Sequence, residues 1–192
     1  PLRETRSWAA TLGDGHVRHA GTGDTVIGAV NPAGRHRTQE IQNLFIASGI
    51  ITTVSDTITS VLWGKLLINA GINPLTAIMR IKNGEILHYP SLLDIMHRIV
   101  GEVCMVAEAL KITLPFPEPV KKVEEVCCAT ADNISSMLQD IIAGRKTEID
   151  HINGCVVAFG QQANIPTPVN SMLIDLVKSI EQIRRSPEPI SA

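Results

Sequence analysis

Aromatic side chains are scarce in this sequence, which has two Trp, one Tyr and three Phe among 192 residues. Proteins that stack bases or sugars on their surface need such rings, so that kind of site is disfavoured. The sequence also lacks a basic excess, because 17 Lys and Arg stand against 19 Asp and Glu. Nucleic acids and anionic membranes attract clustered positive charge. We therefore expect neither nucleic acid nor a membrane as a partner.

Long apolar stretches and cysteine motifs are missing as well. Uninterrupted apolar runs, such as 61–63 and 66–68, fall far short of the ~18 residues of a membrane span. The first seven residues lack the apolar core of a secretory signal. The four cysteines form no CxxC pair, and the six histidines show no metal-ligand spacing. These features predict a cytoplasmic protein with reduced cysteines and no metal site.

Two regions differ in their secondary-structure signals. Residues 1–55 carry strand patterns at 7–12, 16–19, 25–30 and 51–54, with glycine-rich turns and one helix pattern at 34–47. The remaining residues carry helical patterns at 58–72, 90–110, 117–129, 134–142, 147–163 and 168–184. We predict a mainly α protein with a small β segment, divided into domains at 1–55 and 56–192.

Local signals also predict where several helices begin and end. The helix that starts at Ile58 should stop before Pro74, because a residue that precedes proline avoids helical backbone angles. Asn133 is a candidate cap for the helix that follows it. Thr147 and Asp150 are similar to a capping box with aspartate in the place of glutamate, which would open a helix at that point.

Lys65, Asn69 and Asn73 recur every four residues in a segment that is otherwise largely apolar. On a helix this spacing places them on one face, with a drift of about 40° per step. A solvent-facing stripe, or Asn side chains that cap neighbouring helices, is the commoner reason for such a pattern. If the face instead lines a site, one ammonium and two amides suit the carboxylate, carbonyl and hydroxyl of a small oxo or hydroxy acid.

Other polar positions have simple explanations. Asn83 and the glycine after it indicate a turn, and Ser136 lies at a helix start, where its hydroxyl could bind an anion or act as part of a cap. Glu148 falls in the first turn of a predicted helix, where the dipole favours a carboxylate. A dinucleotide fingerprint at 21–26 is rejected, because its sixth residue is valine and a strand follows instead of a helix.

Two long blocks resemble a known family. Residues 63–78, WGKLLINAGINPLTAI, with the Asn-Gly pair at 83–84, are similar to the signature of ketopantoate reductases, or 2-dehydropantoate 2-reductases. Residues 133–140, NISSMLQD, and 145–154, RKTEIDHING, resemble the second block of that family. The resemblance implies a helical domain like the C-terminal domain of 6-phosphogluconate dehydrogenases, attached to the trailing strands of a Rossmann-type domain.

The resemblance further implies an activity, which is the NADPH-dependent reduction of ketopantoate to pantoate in pantothenate and coenzyme A biosynthesis. Lys65 matches the general acid of the family, and Glu148 matches an active-site acid on the cofactor side that is associated with the lysine. Ala10 falls near a position where the backbone contacts the cofactor. The positions that bind substrate in the family match four polar residues of this chain: Asn69, Asn73, Asn83 and Ser136.

Part of the family pattern is not in this sequence, namely the glycine-rich fingerprint and the residues that select NADPH. We therefore expect the chain to be inactive without a Rossmann domain. Two alternatives stay open. The protein could reduce another 2-oxo acid, or it could be a non-catalytic helical module that serves association. A homodimer through the helical domain is compatible with each of these functions.

Overall fold

A computed structural model describes residues 2–5, 8–21, 23 and 25–185. The chain divides into two compact units, Pro1–Leu62 and Trp63–Ala192. Strands occur in the first unit, and the described part of the second unit is helical. The structure thus confirms a mainly α protein with a small β segment.

The described residues of the first unit form short strands around one helix. These elements are β1 (Leu2–Thr5), β2 (Trp8–Gly13), β3 (His16–Gly21), β4 (Thr25–Gly28), α1 (Arg35–Ala47) and β5 (Thr52–Val54). β4 lies between β1, which runs antiparallel to it, and β5, which runs parallel. β2 and β3 form a separate hairpin, and its turn contains Gly15 with φ of 71°, a conformation that favours glycine. The rejected dinucleotide fingerprint at 21–26 leads into a strand, β4, and not into a helix. Its residues Thr22 and Asp24 lie outside the described part of the chain.

The second unit is a bundle of helices. Its elements are most of α2 (Ile58–Met79), a 3-10 helix (Asn83–His88), α3 (Pro90–Ala109), α4 (Pro119–Ala129), α5 (Ser136–Ile142), α6 (Asn153–Ala163) and α7 (Pro168–Arg185). The periodic apolar positions of α3 form the centre of the core, where Met96, Ile99, Val100 and Val103 are fully buried. Each such side chain contributes about 1.5–3 kcal/mol when it leaves water. α2 approaches this centre closely at Gly71, where a Cβ would lie 3.1 Å from a methyl of Val100.

α2 is also long and apolar enough, by length and composition alone, to cross a membrane. The short uninterrupted apolar runs in the sequence do not indicate such a helix, because Lys65 and Asn69 divide them. The mean hydropathy over its apolar window nevertheless stays high enough for a membrane span. In the structure, 61% of the apolar window is buried inside the protein. A core helix of a protein passes the same test. The close packing of α2 against α3 at Gly71 is that of a core helix.

The prediction that the first long helix stops before Pro74 is wrong, because α2 continues through the proline to Met79. Pro74 cannot donate the backbone hydrogen bond to the carbonyl of Ala70, which lies four residues before it. The side-chain amide of Asn153 donates to that carbonyl instead, with an N–O distance of 3.4 Å. The first three residues after Pro74 are buried, so their burial and this replacement bond outweigh the local preference. α2 ends where Arg80 adopts a left-handed conformation with φ of 57°.

Two predicted helix starts are also wrong. α5 is capped by Ser135, whose hydroxyl accepts from the backbone N–H of Leu138 at 3.2 Å, and not by Asn133. α6 begins at Asn153 after a series of turns, and not at Thr147. The Thr147 hydroxyl accepts from the N–H of Ile149, two residues on, at 3.3 Å. A short turn of this kind competes with a helical cap, so no capping box forms at that point.

Candidate active site

The three polar residues of the signature lie on one face of α2, and they become more buried along it. Lys65 is exposed, Asn69 is half-buried, and Asn73 is 7% exposed. Thr76 follows on the same face, since it lies eleven residues, or about three turns, after Lys65. It is completely buried. The face therefore runs from solvent into the protein interior, which a simple solvent-facing stripe would not do.

The side chains in the open part of this face have no partners in the described part of the chain. Lys65, Asn69 and Asn73 make no hydrogen bond or ion pair through their side chains there. The same holds for Ser136 and Glu148, so Lys65 and Glu148 do not form an ion pair in this structure. Half-buried amides normally find a partner within the protein. Amides left free beside a cation are suited to bind a polar ligand.

Ser136 is brought to the inner end of this face by its neighbour. It is the first residue of α5 and is exposed, whereas Ser135 is 6% exposed. The hydroxyl oxygens of Ser135 and Thr76 lie 2.7 Å apart. Thr76 also approaches the carbonyl oxygen of Asn73, at 3.0 Å. The structure thus brings the start of α5 to the part of α2 that carries Asn73.

Asn83 occupies a different setting from the other candidates. It is 8% exposed and lies in the 3-10 helix, where its side-chain amide donates to the Thr130 hydroxyl at 3.0 Å. Its backbone N–H donates to the carbonyl of Asn133, also at 3.0 Å. Within the described chain its Oδ1 is buried without a hydrogen-bond partner. These contacts hold the segment that leads into α5, and Oδ1 is the atom of this side chain that they leave unpaired.

Glu148 is exposed and lies in the turns before α6. The residues around it are fixed by α7. The backbone N–H of Thr147 donates to a carboxylate oxygen of Glu181 at 2.7 Å, and Asp150 forms an ion pair with Lys178 at 2.6 Å. The hydrogen bond from Lys178 lowers the pKa of the Asp150 carboxyl, and the same bond raises the pKa of Lys178. Glu148 therefore stands on a segment with two polar attachments.

A buried polar network lies beneath the α2 face. Asn153 is fully buried, and its amide donates both to the Ala70 carbonyl and to Oδ1 of Asn170, the latter at 2.9 Å. Asn170 in turn donates to the carboxylate of Glu102 at 2.6 Å. Glu102 also accepts the backbone N–H groups of Val169 and Asn170 at the start of α7. Both partners of the Asn153 amide are acceptors, which fixes its orientation.

Ala10 is the one candidate that lies in the first unit. It belongs to β2 and pairs with Arg18 of β3 in the hairpin. The structure therefore assigns the other six candidates to the helical unit, on α2, the 3-10 helix, α5 and the turns before α6. The part of the chain that the structure describes contains no group of three or more His, Cys, Asp or Glu side chains arranged to hold a metal ion.

Sequence reasoning did not identify Thr76, Ser135, Asn153 or Glu181, although each touches a segment that carries a candidate. Thr76 had a usable signal, because it continues the helical face of Lys65 by three turns. Ser135 also had one, because serine is a favoured helix cap. Asn153 and Glu181 had none, since their partners lie at least 17 residues away in the chain. Taken together, the candidates without side-chain partners (Lys65, Asn69, Asn73, Ser136 and Glu148) offer one cation, two amides, one hydroxyl and one carboxylate. That set suits a small acid with a polar oxygen at its second carbon.

Comparison with known proteins adds independent information. The family model described as ketopantoate reductase PanE/ApbA C terminal matches residues 57–181. The 2-dehydropantoate 2-reductase of Vibrio cholerae is 40% identical over 166 residues, which are 86% of this chain and 55% of the relative. The structure of a PanE/ApbA family ketopantoate reductase from Ralstonia eutropha is similar over 96% of this chain and 60% of that protein, with 29% identity and a TM-score of 0.85.

A second solved structure is similar to nearly the same extent. A D-mandelate dehydrogenase in complex with NADH matches 94% of this chain and 62% of its own, with 27% identity and a TM-score of 0.87. The chain spans less than two thirds of the length of each of these proteins.

Proposed function

This chain belongs to the ketopantoate reductase family, and from that premise we propose that it forms the substrate-binding and catalytic part of an NADPH-dependent 2-dehydropantoate 2-reductase. The main observation in support is the polar face of α2, where Lys65, Asn69 and Asn73 run from solvent into the interior without partners in the described chain. The physical reading of those groups and the family membership lead to the same substrate, a small 2-oxo acid.

Lys65 is proposed as the general acid. As the ketone is reduced, negative charge develops on its oxygen, and an ammonium group can stabilise that charge and then donate a proton to the oxygen. The product is the 2-hydroxy acid, and Lys65 is left neutral. Its exposure allows it to regain a proton from solvent. Glu148 is proposed to act beside it on the cofactor side, by keeping the ammonium charged and oriented.

Asn69, Asn73 and Ser136 are proposed to hold the substrate, with the free Oδ1 of Asn83 as a further acceptor. Amide and hydroxyl groups can bind the carboxylate and the hydroxyl of ketopantoate at the same time. Their contribution is orientation, which fixes the ketone oxygen near Lys65. Asn73 and Ser136 are suited to act together, since the contact between Thr76 and Ser135 joins the segments that carry them.

The chain offers candidate residues for the reacting end of the cofactor but not for its phosphates. A nicotinamide cofactor supplies the hydride that adds to the ketone carbon. Lys65 and Glu148 are proposed to act at the reacting end of such a cofactor, and Ala10 is proposed to contact it through its backbone. The sequence contains no glycine-rich turn of the type that binds the phosphates. NADPH is proposed over NADH from the family alone, and the D-mandelate dehydrogenase structure contains NADH.

Reduction of another 2-oxo acid is the second candidate, and the similarity to D-mandelate dehydrogenase favours it, because mandelate is a different 2-hydroxy acid. The polar groups described above would bind the shared carboxylate and ketone in either case. The side chain of the substrate would then decide specificity. For both candidates we propose a cytoplasmic enzyme that forms a homodimer through its helical domain, and light scattering would test the dimer.

The decisive experiment compares this chain alone with the same chain fused behind the N-terminal part of the Vibrio cholerae relative. NADPH oxidation is followed with ketopantoate and with a panel of other 2-oxo acids, and the fusion without any oxo acid serves as the blank. We expect ketopantoate turnover in the fusion only. A preference for another 2-oxo acid would replace the substrate, and turnover by the short chain would contradict the account of the cofactor. No turnover with any acid would favour a non-catalytic module.

A further inference from the structure

Two buried hydroxyl groups join the two segments that are proposed to hold the substrate. Thr76 on α2 is completely buried, and Ser135 before α5 is 6% exposed. Their oxygens lie 2.7 Å apart, although 59 residues separate them in the chain. Their surroundings are apolar, with Leu75, Met137 and Leu138 all buried. Hydroxyls in such a place need partners, because an unpaired buried hydroxyl is costly.

The hydrogen bonds around this pair form a continuous series. Ser135 accepts from the N–H of Leu138 at 3.2 Å. Thr76 lies 3.0 Å from the carbonyl oxygen of Asn73 and 3.1 Å from that of Ile72. Each hydroxyl has one proton. In the structure the Thr76 hydroxyl donates to Oγ of Ser135, which also accepts the N–H of Leu138. The two α2 carbonyls are alternative acceptors within reach of the same Thr76 proton. The series then connects the first turn of α5 to the backbone of α2 beside Asn73.

We propose that Thr76 and Ser135 are positioning residues that set the spacing between Asn73 and Ser136, and thereby the fit of the bound 2-oxo acid; this rests on the function proposed above. Ser136 directly follows Ser135, and Asn73 lies less than one turn before Thr76. An apolar contact in its place would allow the start of α5 to shift along α2. A hydrogen bond of 2.7 Å between two buried oxygens holds the separation to a narrow range, because its strength falls steeply with distance and angle.

The role differs from that of Lys65. Lys65 lies about three turns away on α2 and is exposed. The hydroxyl pair should therefore have little effect on proton donation by Lys65. Loss of the pair should weaken substrate binding and leave the chemical step nearly intact. A residue that merely stabilises the fold would instead lower the amount of active protein, without a selective change in KM for the oxo acid.

Two variants of one residue separate these roles. Thr76→Val keeps the shape of the side chain and removes the hydroxyl, whereas Thr76→Ser keeps the hydroxyl and removes a buried methyl group. In the active fusion we expect Thr76→Val to raise the KM for ketopantoate about 10-fold, because Asn73 and Ser136 are proposed to bind groups of the substrate that do not react. A weaker hold on those groups affects the ground state and the transition state equally. The kcat of Thr76→Val and its KM for NADPH should stay within about 2-fold of the parent. Thr76→Ser should retain the parent KM even if its Tm is lower.

Equal KM values for the two variants would overturn the proposal, as would a loss in kcat at unchanged KM. A matching KM increase in Ser135→Ala that is not additive with Thr76→Val would support it, because residues that act through one contact are coupled.

A second readout does not depend on turnover. In the 192-residue chain, NMR would follow the backbone amide shifts of Asn73 and Ser136. We expect Thr76→Val to move both and Thr76→Ser to move neither appreciably. Shifts confined to α5 would show that Ser135 is only a helix cap, which would overturn the proposal. If these shifts behave as expected but the fusion does not reduce ketopantoate, the proposed function fails and the positioning pair stands.

Discussion

The two ends of the polar face of α2 differ in how their side chains are held. At the outer end, Lys65 and Asn69 are exposed or half-buried and make no polar contact within the described chain. At the inner end, Thr76 is fully buried and lies within hydrogen-bond distance of three oxygens. Groups free to bind a ligand stand at one end, and groups satisfied by the protein stand at the other. Substitutions at the outer end should therefore change activity more than stability, and substitutions around the inner end should change stability as well.

The largest effect is expected at the outer end. In the active fusion, Lys65→Met should lower kcat by about 10²- to 10⁴-fold, which is the usual contribution of a positioned acid. Because Lys65 is exposed and unpaired in the described chain, the free energy of unfolding should change by less than about 0.5 kcal/mol. Steady-state kinetics and urea unfolding of the same variant measure both quantities.

Lys65→Arg is the matched control for this variant, because arginine keeps the positive charge but does not give up its proton near neutral pH. It should retain much of the substrate affinity and still lose kcat. A kcat close to that of the parent in Lys65→Met would remove Lys65 from the acid role.

The second effect concerns the buried polar network that contacts α2 at the Ala70 carbonyl. Asn153→Leu removes the donor that reaches the Ala70 carbonyl and Oδ1 of Asn170. Two buried acceptors lose a partner, so the free energy of unfolding should fall by about 2 kcal/mol. Pro74→Ala restores a backbone N–H that can bond to the Ala70 carbonyl. In that background Asn153→Leu should cost about 1 kcal/mol less, measured as a double-mutant cycle in urea.

Val156→Ala is the control for this cycle, because it removes buried apolar atoms one turn further along α6 and no hydrogen bond. Its cost should be the same with Pro74 and with alanine at that position. An equal cost of Asn153→Leu in both backgrounds would show that the contact at 3.4 Å contributes nothing to α2.

The course of α2 shows where prediction from sequence succeeds and where it stops. The spacing of Lys65, Asn69 and Asn73 predicted a shared face, and the structure has that face. The predicted end before Pro74 was wrong because the local preference of Asn73 is small compared with the burial of the residues that follow. The compensating donor, Asn153, lies 83 residues away from the carbonyl that it reaches. No local pattern in the sequence carries that information.

The start of α6 illustrates the same limit. Thr147 and Asp150 have the spacing of a capping box, but both are used elsewhere in the fold. The N–H of Thr147 donates to Glu181, and the carboxylate of Asp150 pairs with Lys178. Both partners belong to α7, which the sequence predicted as a helix without indicating its neighbours. In α3, by contrast, the helix pattern at 90–110 rests on the spacing of apolar residues alone, and the structure has a helix there with a buried apolar side. That signal does not depend on a distant partner.

The third prediction concerns the segment that carries Glu148. Glu181→Ala removes the acceptor for the N–H of Thr147, a residue that is 4% exposed. Hydrogen bonds to charged acceptors contribute about 1.5–3 kcal/mol, so the free energy of unfolding should fall by about 1.5 kcal/mol. Glu181→Gln keeps a neutral acceptor of the same length and should lose less. Equal losses for the two variants in urea unfolding would contradict this, because they would show that a neutral acceptor adds nothing and that the carboxylate charge accounts for the whole effect.

The smallest effect belongs to the second attachment of that segment, the ion pair between Asp150 and Lys178. The pKa of Asp150 is lowered from its usual 3.8 by the hydrogen bond from Lys178. A carboxyl with a depressed folded-state pKa stabilises the protein above its unfolded-state pKa, and this contribution is lost as the pH falls through the folded-state value. The pKa of Lys178 is raised from 10.5 by the same bond, so its contribution is present below that pH and is lost as the pH rises further.

Asp150→Asn should therefore lower Tm between about pH 4 and pH 10, and the difference from the parent should vanish below that window. The decrease should be about 1 °C, because exposed ion pairs contribute little and are screened by salt. Thermal unfolding at pH 7 and pH 3, at low and high salt, measures it. Asp94→Asn is a suitable control, since Asp94 is exposed on α3 and its carboxylate makes no ion pair within the described chain. A Tm difference for Asp150→Asn that persisted at pH 3 would mean that Asp150 stabilises the segment by something other than its charge, which would contradict the role given to the ion pair with Lys178.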